Sequence, residues 1–309
     1  MIVWRVFYLA NNTLSQNINQ AISDFKGIKQ AIIDKGVQIP SGTKTSEYAA
    51  KISEIQSGGD DSFKGVIERT ATNPILPNNL TRIGDYAFYN YKSLTTVNLP
   101  ASVTAIGNYA FYECNNLALE SLPEGITTIG NQAFYNCKKL ALESLPESLT
   151  TIGIYTFESC EKLVLTSLPD SVTSIGNSGF SRCTNLALTS LPEGITRIEI
   201  ATFYCCRNLA LTSLPESVTS IGDQGFDGCW KLALTSLPAG VTYVGSNAFR
   251  ACTGLSTVTF KGTPTSIKNT AFNNCANLTT INVPWSEGEV ANAPWGATNA
   301  TINYGYTGG

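Results

Sequence analysis

The residues of this chain with the widest chemical range are its nine cysteines, and eight of them recur at one spacing. Cys114, Cys137, Cys160, Cys183, Cys206, Cys229, Cys252 and Cys275 stand 23 residues apart, each three places after a phenylalanine. Thiols can bridge, hold zinc or act as nucleophiles. No Cys-x-x-Cys occurs, so the usual zinc spacing is missing. Side chains on one rung of stacked repeats point the same way, which suits packing and not bridging. The expected state is a reduced, buried ladder in which each thiol acts as a small hydrophobe. Cys205, beside Cys206, falls outside the ladder and is free to be exposed.

Acidic residues recur too. Glu124, Glu147, Asp170, Glu193 and Glu216 each follow a proline at the same step. Stacked carboxylates could hold a hard cation such as calcium. Each turn supplies only one, without an Asp-rich loop, so a solvated acidic turn is the preferred reading. The chain has no histidine, which removes His-based triads, His general bases and most zinc chemistry. Outside the repeats nothing pairs a nucleophile with a base or two carboxylates in a cleft. The expectation is a protein that is not an enzyme and needs no cofactor or metal.

A third set carries recognition chemistry. Two places before the repeat phenylalanine stand Tyr86, Tyr109 and Tyr155, among Gln132, Ser178, Ala201, Gln224 and Asn247. One place after it stand Tyr89, Tyr112, Tyr135, Tyr204 and Arg250, among Glu158, Ser181 and Asp227. Arg182 lies one step further on, and Lys138, Arg207 and Trp230 just past the cysteine. An ordinary solvated face favours Lys and Glu, whereas Tyr, Asn, Ser, Arg and Trp are paratope residues. Either these side chains form one exposed binding stripe, with Tyr109, Tyr112 and Tyr155 as anchors, or unconstrained positions have drifted.

The elements that must position them follow from the repeat. Residues 83–88, Ile-Gly-Asp-Tyr-Ala-Phe, recur nine times at a step of 23 without a slip, the last at 267–272. A constant period means one coil per repeat, stacked in a solenoid. Within a coil, Ile126-Thr127-Thr128-Ile129 is β-branched and strand-like. Pro123-Glu124-Gly125 is turn chemistry. Ala133, Phe134 and Cys137 lie at helical spacing, which predicts one buried turn of α- or 3₁₀-helix. The fold class read here is an α/β solenoid of short parallel strands, one helical turn per coil, and a small N-terminal helical region. Outer copies such as residues 94–99 and 255–260 depart from the central Leu-Ala-Leu-x-Ser-Leu-Pro run, as coils facing a cap should.

The pattern Cys-x-x-Leu, then Leu-Pro, then Ile/Val/Leu-Thr-x-Ile-Gly-x-x-Ala-Phe resembles the BspA-like leucine-rich repeat over about residues 70–285. The resemblance implies a leucine-rich-repeat scaffold of the kind found in bacterial surface adhesins and in some virus-encoded proteins. Glu199 and Lys268 depart from it by replacing the glycine after the strand isoleucine. Residues 28–55, and the end from Trp285 through Trp295 to Tyr304, are similar to segments of phage and prophage tail-associated proteins.

Three regions follow: 1–60, 61–285 and 286–309. In the first, residues 2–9 read as a strand; as an export signal the run is broken by Arg5 and too short. Leu14, Ile18, Ala21, Phe25, Ile28 and Ile32 follow an a/d pattern. They form either a helical hairpin over the first coil or a short coiled coil joining protomers, so a homo-oligomer through residues 1–57 is expected. Trp285 and Trp295 are expected to cover the last coil. Composition limits the partners. Twenty basic against 23 acidic residues leave no basic footprint for nucleic acid, and no 18-residue apolar run spans a membrane. The leading functional reading is an adhesion module for a protein or glycan on a cell surface, as a phage-tail or host-recognition component. Its alternatives are a bacterial surface or secreted adhesin and a structural spacer. The expected location is the virion tail or the extracellular surface, with the cytoplasm before assembly as the alternative.

Overall fold

The structure, a computed structural model, describes residues 71–76 and 78–307. The expected N-terminal strand, helical segment and oligomerising seam lie outside the described residues. Among the described residues, thirteen short strands make up the regular structure. The strand-like motif forms β1 (Arg82–Ile83), β2 (Ala105–Ile106), β3 (Thr128–Ile129), β4 (Thr151–Ile152) and β5 (Ser174–Ile175), then β6 (Arg197–Ile198), β7 (Ser220–Ile221), β9 (Tyr243–Val244) and β11 (Ser266–Ile267). The leucine-rich run forms β8 (Ser236–Leu237), β10 (Thr257–Phe260), β12 (Thr280–Asn282) and β13 (Thr301–Asn303). All pairings are parallel, and neighbouring Ile-Gly strands pair one period apart, as Ile83 with Ile106 and Ile221 with Val244. The sheets run β1-β2-β3-β4-β5, β6-β7-β9-β11 and β8-β10-β12-β13. The second kind of strand is longest where the sequence is Thr-Val-Thr-Phe, because β-branched residues fit a pleat better than the central Ala, Ser and Pro.

The core is a set of ladders. Nine phenylalanines, from Phe88 to Phe272, are buried, and their rings stack with centroids 5.0 Å apart at Phe88–Phe111 and 5.9 Å at Phe180–Phe203. The cysteine ladder is present as expected, with free thiols and all eight side chains buried. Each thiol also donates to the phenylalanine carbonyl of the preceding coil, as Cys160 Sγ does to Phe134 at 3.1 Å. Burial pushes the thiols from Cys137 to Cys275 up, Cys275 to about 12. The acidic ladder from Glu124 to Glu216 is exposed, in keeping with a solvated turn.

The expected helical turn is not formed: the described residues contain no helix. Two residues in each of the first eight turns, such as Gln132 and Asn136 with φ of 55° and 57°, lie in the left-handed region. A right-handed helix needs negative φ throughout. The turn instead alternates two kinds of hydrogen bond. Gln132, Phe134 and Asn136 donate to Ile154, Thr156 and Glu158 of the next coil at 2.9, 2.9 and 2.7 Å. Between them, Ala133, Tyr135 and Cys137 close local turns onto Gly130, Gln132 and Phe134. A non-glycine residue in the left-handed region costs on the order of 1 kcal/mol. Continuing the ladder across the turn offsets that cost, since no buried N–H is orphaned. The spacing of Ala133, Phe134 and Cys137 matched a helix because both solutions turn three inward residues onto one wall.

The glycine after the strand has a positional reason. A Cβ at Gly153 would lie 2.5 Å from Asn131 Oδ1, which accepts from the Ile154 N–H at 2.8 Å. Asp85, Asn108 and Asp223 hold the next coil in the same way. Lys268 is accommodated where the facing residue is Ser246 instead of Asn or Asp. Before Glu199 the corresponding bond, Ile200 N–H to Asn177, is longer at 3.2 Å, and the Ile-Gly sheet is interrupted between β5 and β6.

The ladder outlasts the nine sequence repeats. Phe272 donates to Trp295, 23 residues on, at 2.9 Å, and β13 pairs with β12. Trp295 is fully buried and Trp285 is 3% exposed, so both indoles cover the ninth coil as a degenerate tenth one. Residues 289–303 thus share the solenoid's backbone pairing.

Candidate recognition face

The left-handed turns decide which side chains face out. With Phe and Cys turned inward, most residues two before and one after the phenylalanine stand on the outer surface of the stack; Ser178, Ser181 and Asp227 are the buried exceptions. Tyr155, Arg182, Arg207 and Trp230 are exposed there. Tyr86, Tyr89, Tyr109, Tyr112, Tyr135, Tyr204 and Arg250 are half-buried, and none of the eleven is in the core.

They fall into two groups. In the first, Tyr86 stacks on Tyr109 at 4.7 Å, and Tyr89, Tyr112 and Tyr135 form a second stack at 4.8 and 4.7 Å. Tilted contacts of 5.7 and 5.8 Å tie the two rows into one aromatic patch. Desolvation, then neighbouring tyrosines and acids, push the Tyr112 and Tyr135 phenols up. In the second group, the Arg182 guanidinium lies 5.7 Å from the Tyr204 ring centre and that of Arg207 lies 4.4 Å from Trp230. Arg250 Nε meets both carboxylate oxygens of Asp227, at 3.1 and 2.9 Å. Asp227 is buried, and desolvation raises its carboxyl despite that arginine. Tyr155 joins neither ring stack among the described residues.

Between the groups lies an open groove with a volume of about 400 Å³. Tyr135, Lys138 and Glu161 border it on one side, and Arg182, Cys205 and Arg207 on the other. It opens where the row of rings after Tyr135 is replaced by Glu158 and Ser181, side chains too small to continue the stack. Cys205 is half-buried there, outside the ladder.

Sequence reasoning missed two parts of this face. Ile154 and Ile200 are 40% and 49% exposed beside the outer rows. Their signal was legible: they stand where sister coils have Asn131, Asn177 or Asp223. The groove itself, with Asn136, Ser159 and Thr184 in its lining, needed the stacking of four coils to become visible.

No metal-binding group of three or more His, Cys, Asp or Glu occurs among the described residues. No helix among them is long and apolar enough to cross a membrane. The pattern of the BspA type leucine-rich repeat region, taken as six copies, matches residues 56–187 and again 180–293. The chain belongs to the BspA-type leucine-rich repeat family. This BspA-type protein is similar to a leucine-rich repeat protein from Bacteroides ovatus, at 27% identity over 80% of this chain and 63% of that one, with a TM-score of 0.59. It therefore spans less than two thirds of that relative's length. It is also similar to the T. pallidum leucine-rich repeat protein, at 32% identity, 60% and 78% coverage and a TM-score of 0.42. A leucine-rich cell surface protein from Faecalibacterium prausnitzii shares 25% identity over 77% of this chain and 88% of its own, with a TM-score of 0.37. Comparison with curated proteins finds no match. The family is a repeat scaffold, and its match covers every described strand except β13.

Proposed function

We propose that this BspA-type protein is a non-enzymatic adhesion module whose outer turn face recognises a protein or glycan on a cell surface. One observation carries the reading. Tyr86, Tyr109 and Tyr155 occupy left-handed positions, with φ of 59°, 56° and 55°. Local preference there favours Gly or Asn, not a bulky ring. Folding does not call for tyrosine at this rung, since Gln132 and Ala201 hold the same geometry. Rigid aromatic residues on a fixed scaffold are efficient recognition groups, each worth ~2 kcal/mol or more when it anchors a partner.

The test is the triple variant Tyr109→Ala, Tyr112→Ala, Tyr155→Ala. Adhesion to the target surface should be abolished while the melting temperature stays nearly unchanged. Intact adhesion refutes the reading. Display on a bacterial surface agrees with family membership; a place in a phage tail rests on the terminal resemblances alone. Identification of the protein by mass spectrometry in membrane fractions or in purified particles separates the two. Assembly through residues 1–57 belongs to the same reading: light scattering should find the full chain multimeric and a chain starting near Asp60 monomeric.

A further inference from the structure

The groove beside Tyr135 has a charge opposite to that of the chain. The protein carries a formal net charge of -3, yet Lys138, Arg182 and Arg207 converge on the groove against a single acid, Glu161. That acid is already paired with Lys138 at 3.1 Å. Among the described residues no carboxylate makes an ion pair with Arg182 or Arg207, and the half-buried Glu158 is the acid that feels the Arg182 charge from outside pairing distance. Each guanidinium rests instead near a ring, of Tyr204 or Trp230, which holds it by cation–π attraction. Ring contact uses the face of a guanidinium and leaves its N–H edge for an anion.

The rest of the lining is not that of a bare anion site. Tyr135 stacks on Tyr112 with one face, and the next rung beyond it is Glu158, so its other face has no ring against it. Asn136, Ser159 and Thr184 add short neutral donors and acceptors. A sugar ring presents an apolar C–H face and a rim of hydroxyls. With a carboxylate or sulfate attached, it matches an open aromatic face, neutral hydrogen-bonding groups and two unpaired guanidiniums at once. A volume of about 400 Å³ lies in the range of small-ligand sites and holds one or two sugar rings. An acidic peptide needs a longer trough or a free strand edge.

We propose that this groove binds an acidic saccharide unit, with Arg182 and Arg207 on its carboxylate or sulfate. The proposal rests on the reading of the turn face as a recognition surface and names its ligand chemistry.

The full chain is titrated with sialyllactose and with a sulfated galactose, followed by saturation-transfer NMR and calorimetry. Neutral lactose, inorganic sulfate and a hexaglutamate peptide are run in parallel. The acidic sugars should bind, lactose should not, and binding should weaken as salt is raised. The double variant Arg182→Ala, Arg207→Ala should lose about tenfold or more in affinity, and the double lysine variant should recover only part, because lysine lacks the bidentate fork. The melting temperature should not move, since both arginines are exposed. Equal binding of lactose overturns the proposal. So does sulfate binding as tightly as the sugars, hexaglutamate binding in their place, or unchanged affinity in the double alanine variant. If no acidic sugar binds while adhesion still depends on Tyr109, Tyr112 and Tyr155, this inference alone fails. If the sugars bind through both arginines while the tyrosine variant still adheres, the broader reading alone fails.

Discussion

Within one turn the chain builds two walls with opposite tolerance for change. The inner wall holds phenylalanine in all nine repeats, and cysteine in all but the first, where Tyr91 takes its place. Two residues before the phenylalanine, the outer row holds Tyr, Gln, Ser, Ala and Asn in the same left-handed conformation, and one residue after it the row varies among Tyr, Glu, Ser, Asp and Arg. The backbone bonds are the same for both walls, so the difference lies in what the side chains meet. Inward, each ring meets two copies of itself at fixed spacing, and any change of volume is felt above and below. Outward, the neighbours are water and one side chain from each adjoining coil. The comparison shows that the stack imposes the left-handed geometry and leaves outer residue identity open to other uses.

Four measurements can break or sharpen that contrast. The largest effect should come from alkali. The folded inner wall keeps thiols protonated that the unfolded chain would release, so folding loses stability as pH rises from about 9. For Cys275, raised to about 12, the full window amounts to ~4 kcal/mol. Burial pushes the six thiols from Cys137 to Cys252 up in the same direction, so each adds to the loss. Circular dichroism against pH should show cooperative unfolding before pH 12, with Cys160→Ala lowering the slope. A fold stable through that range would show that the ladder is not closed to solvent.

Next comes Phe157→Ala, which leaves a ring-sized gap between Phe134 and Phe180, 5.6 and 5.5 Å away. Denaturant titration should find a loss of about 3–5 kcal/mol. Arg250→Ala should cost less, about 1 kcal/mol at neutral pH, because solvent screens the half-exposed arginine while Asp227 is left buried with Gln224 but without a counter-charge. That cost should fade as acid protonates Asp227, and at a higher pH than for an ordinary aspartate, since its carboxyl is raised. A cost that persisted in acid would mean that the arginine acts through packing. The smallest change is expected at the outer wall: Tyr155→Ala should shift stability by no more than about 0.5 kcal/mol. A loss comparable to that at Phe157 would erase the distinction between the walls.

Much of this was legible in the residues. Nine copies of Ile/Val-x-x-x-x-Phe at one spacing, six of them with Ile-Gly, imply stacked coils, because a period without insertions leaves no other arrangement that buries every phenylalanine. The buried cysteine ladder followed from the same step and from the lack of Cys-x-x-Cys. The outer rows were legible as variation within a single chain. The turn itself was misread as helical. Ala133, Phe134 and Cys137 satisfy a helical spacing; Asn136 is a residue type that tolerates a left-handed backbone, but Gln132, Ala201 and the tyrosines at the sister positions are not, so the residue types give no consistent signal. The tenth coil was hidden as well, since Trp295 replaces the expected phenylalanine and its neighbours share little of the motif.

The sequence by itself determined the solenoid, its period and which side chains could not face water, because burial of repeated apolar residues is a local demand made again in every coil. It also determined that no histidine chemistry is available. Only the tertiary structure decided how the turn is hydrogen-bonded, since donors at Gln132, Phe134 and Asn136 find their acceptors one coil away. Only it decided that Tyr112 and Tyr135 stack while Arg182 and Arg207 converge on one groove. Those positions are separated by whole repeats along the chain, and stacking alone brings them within reach of a single ligand.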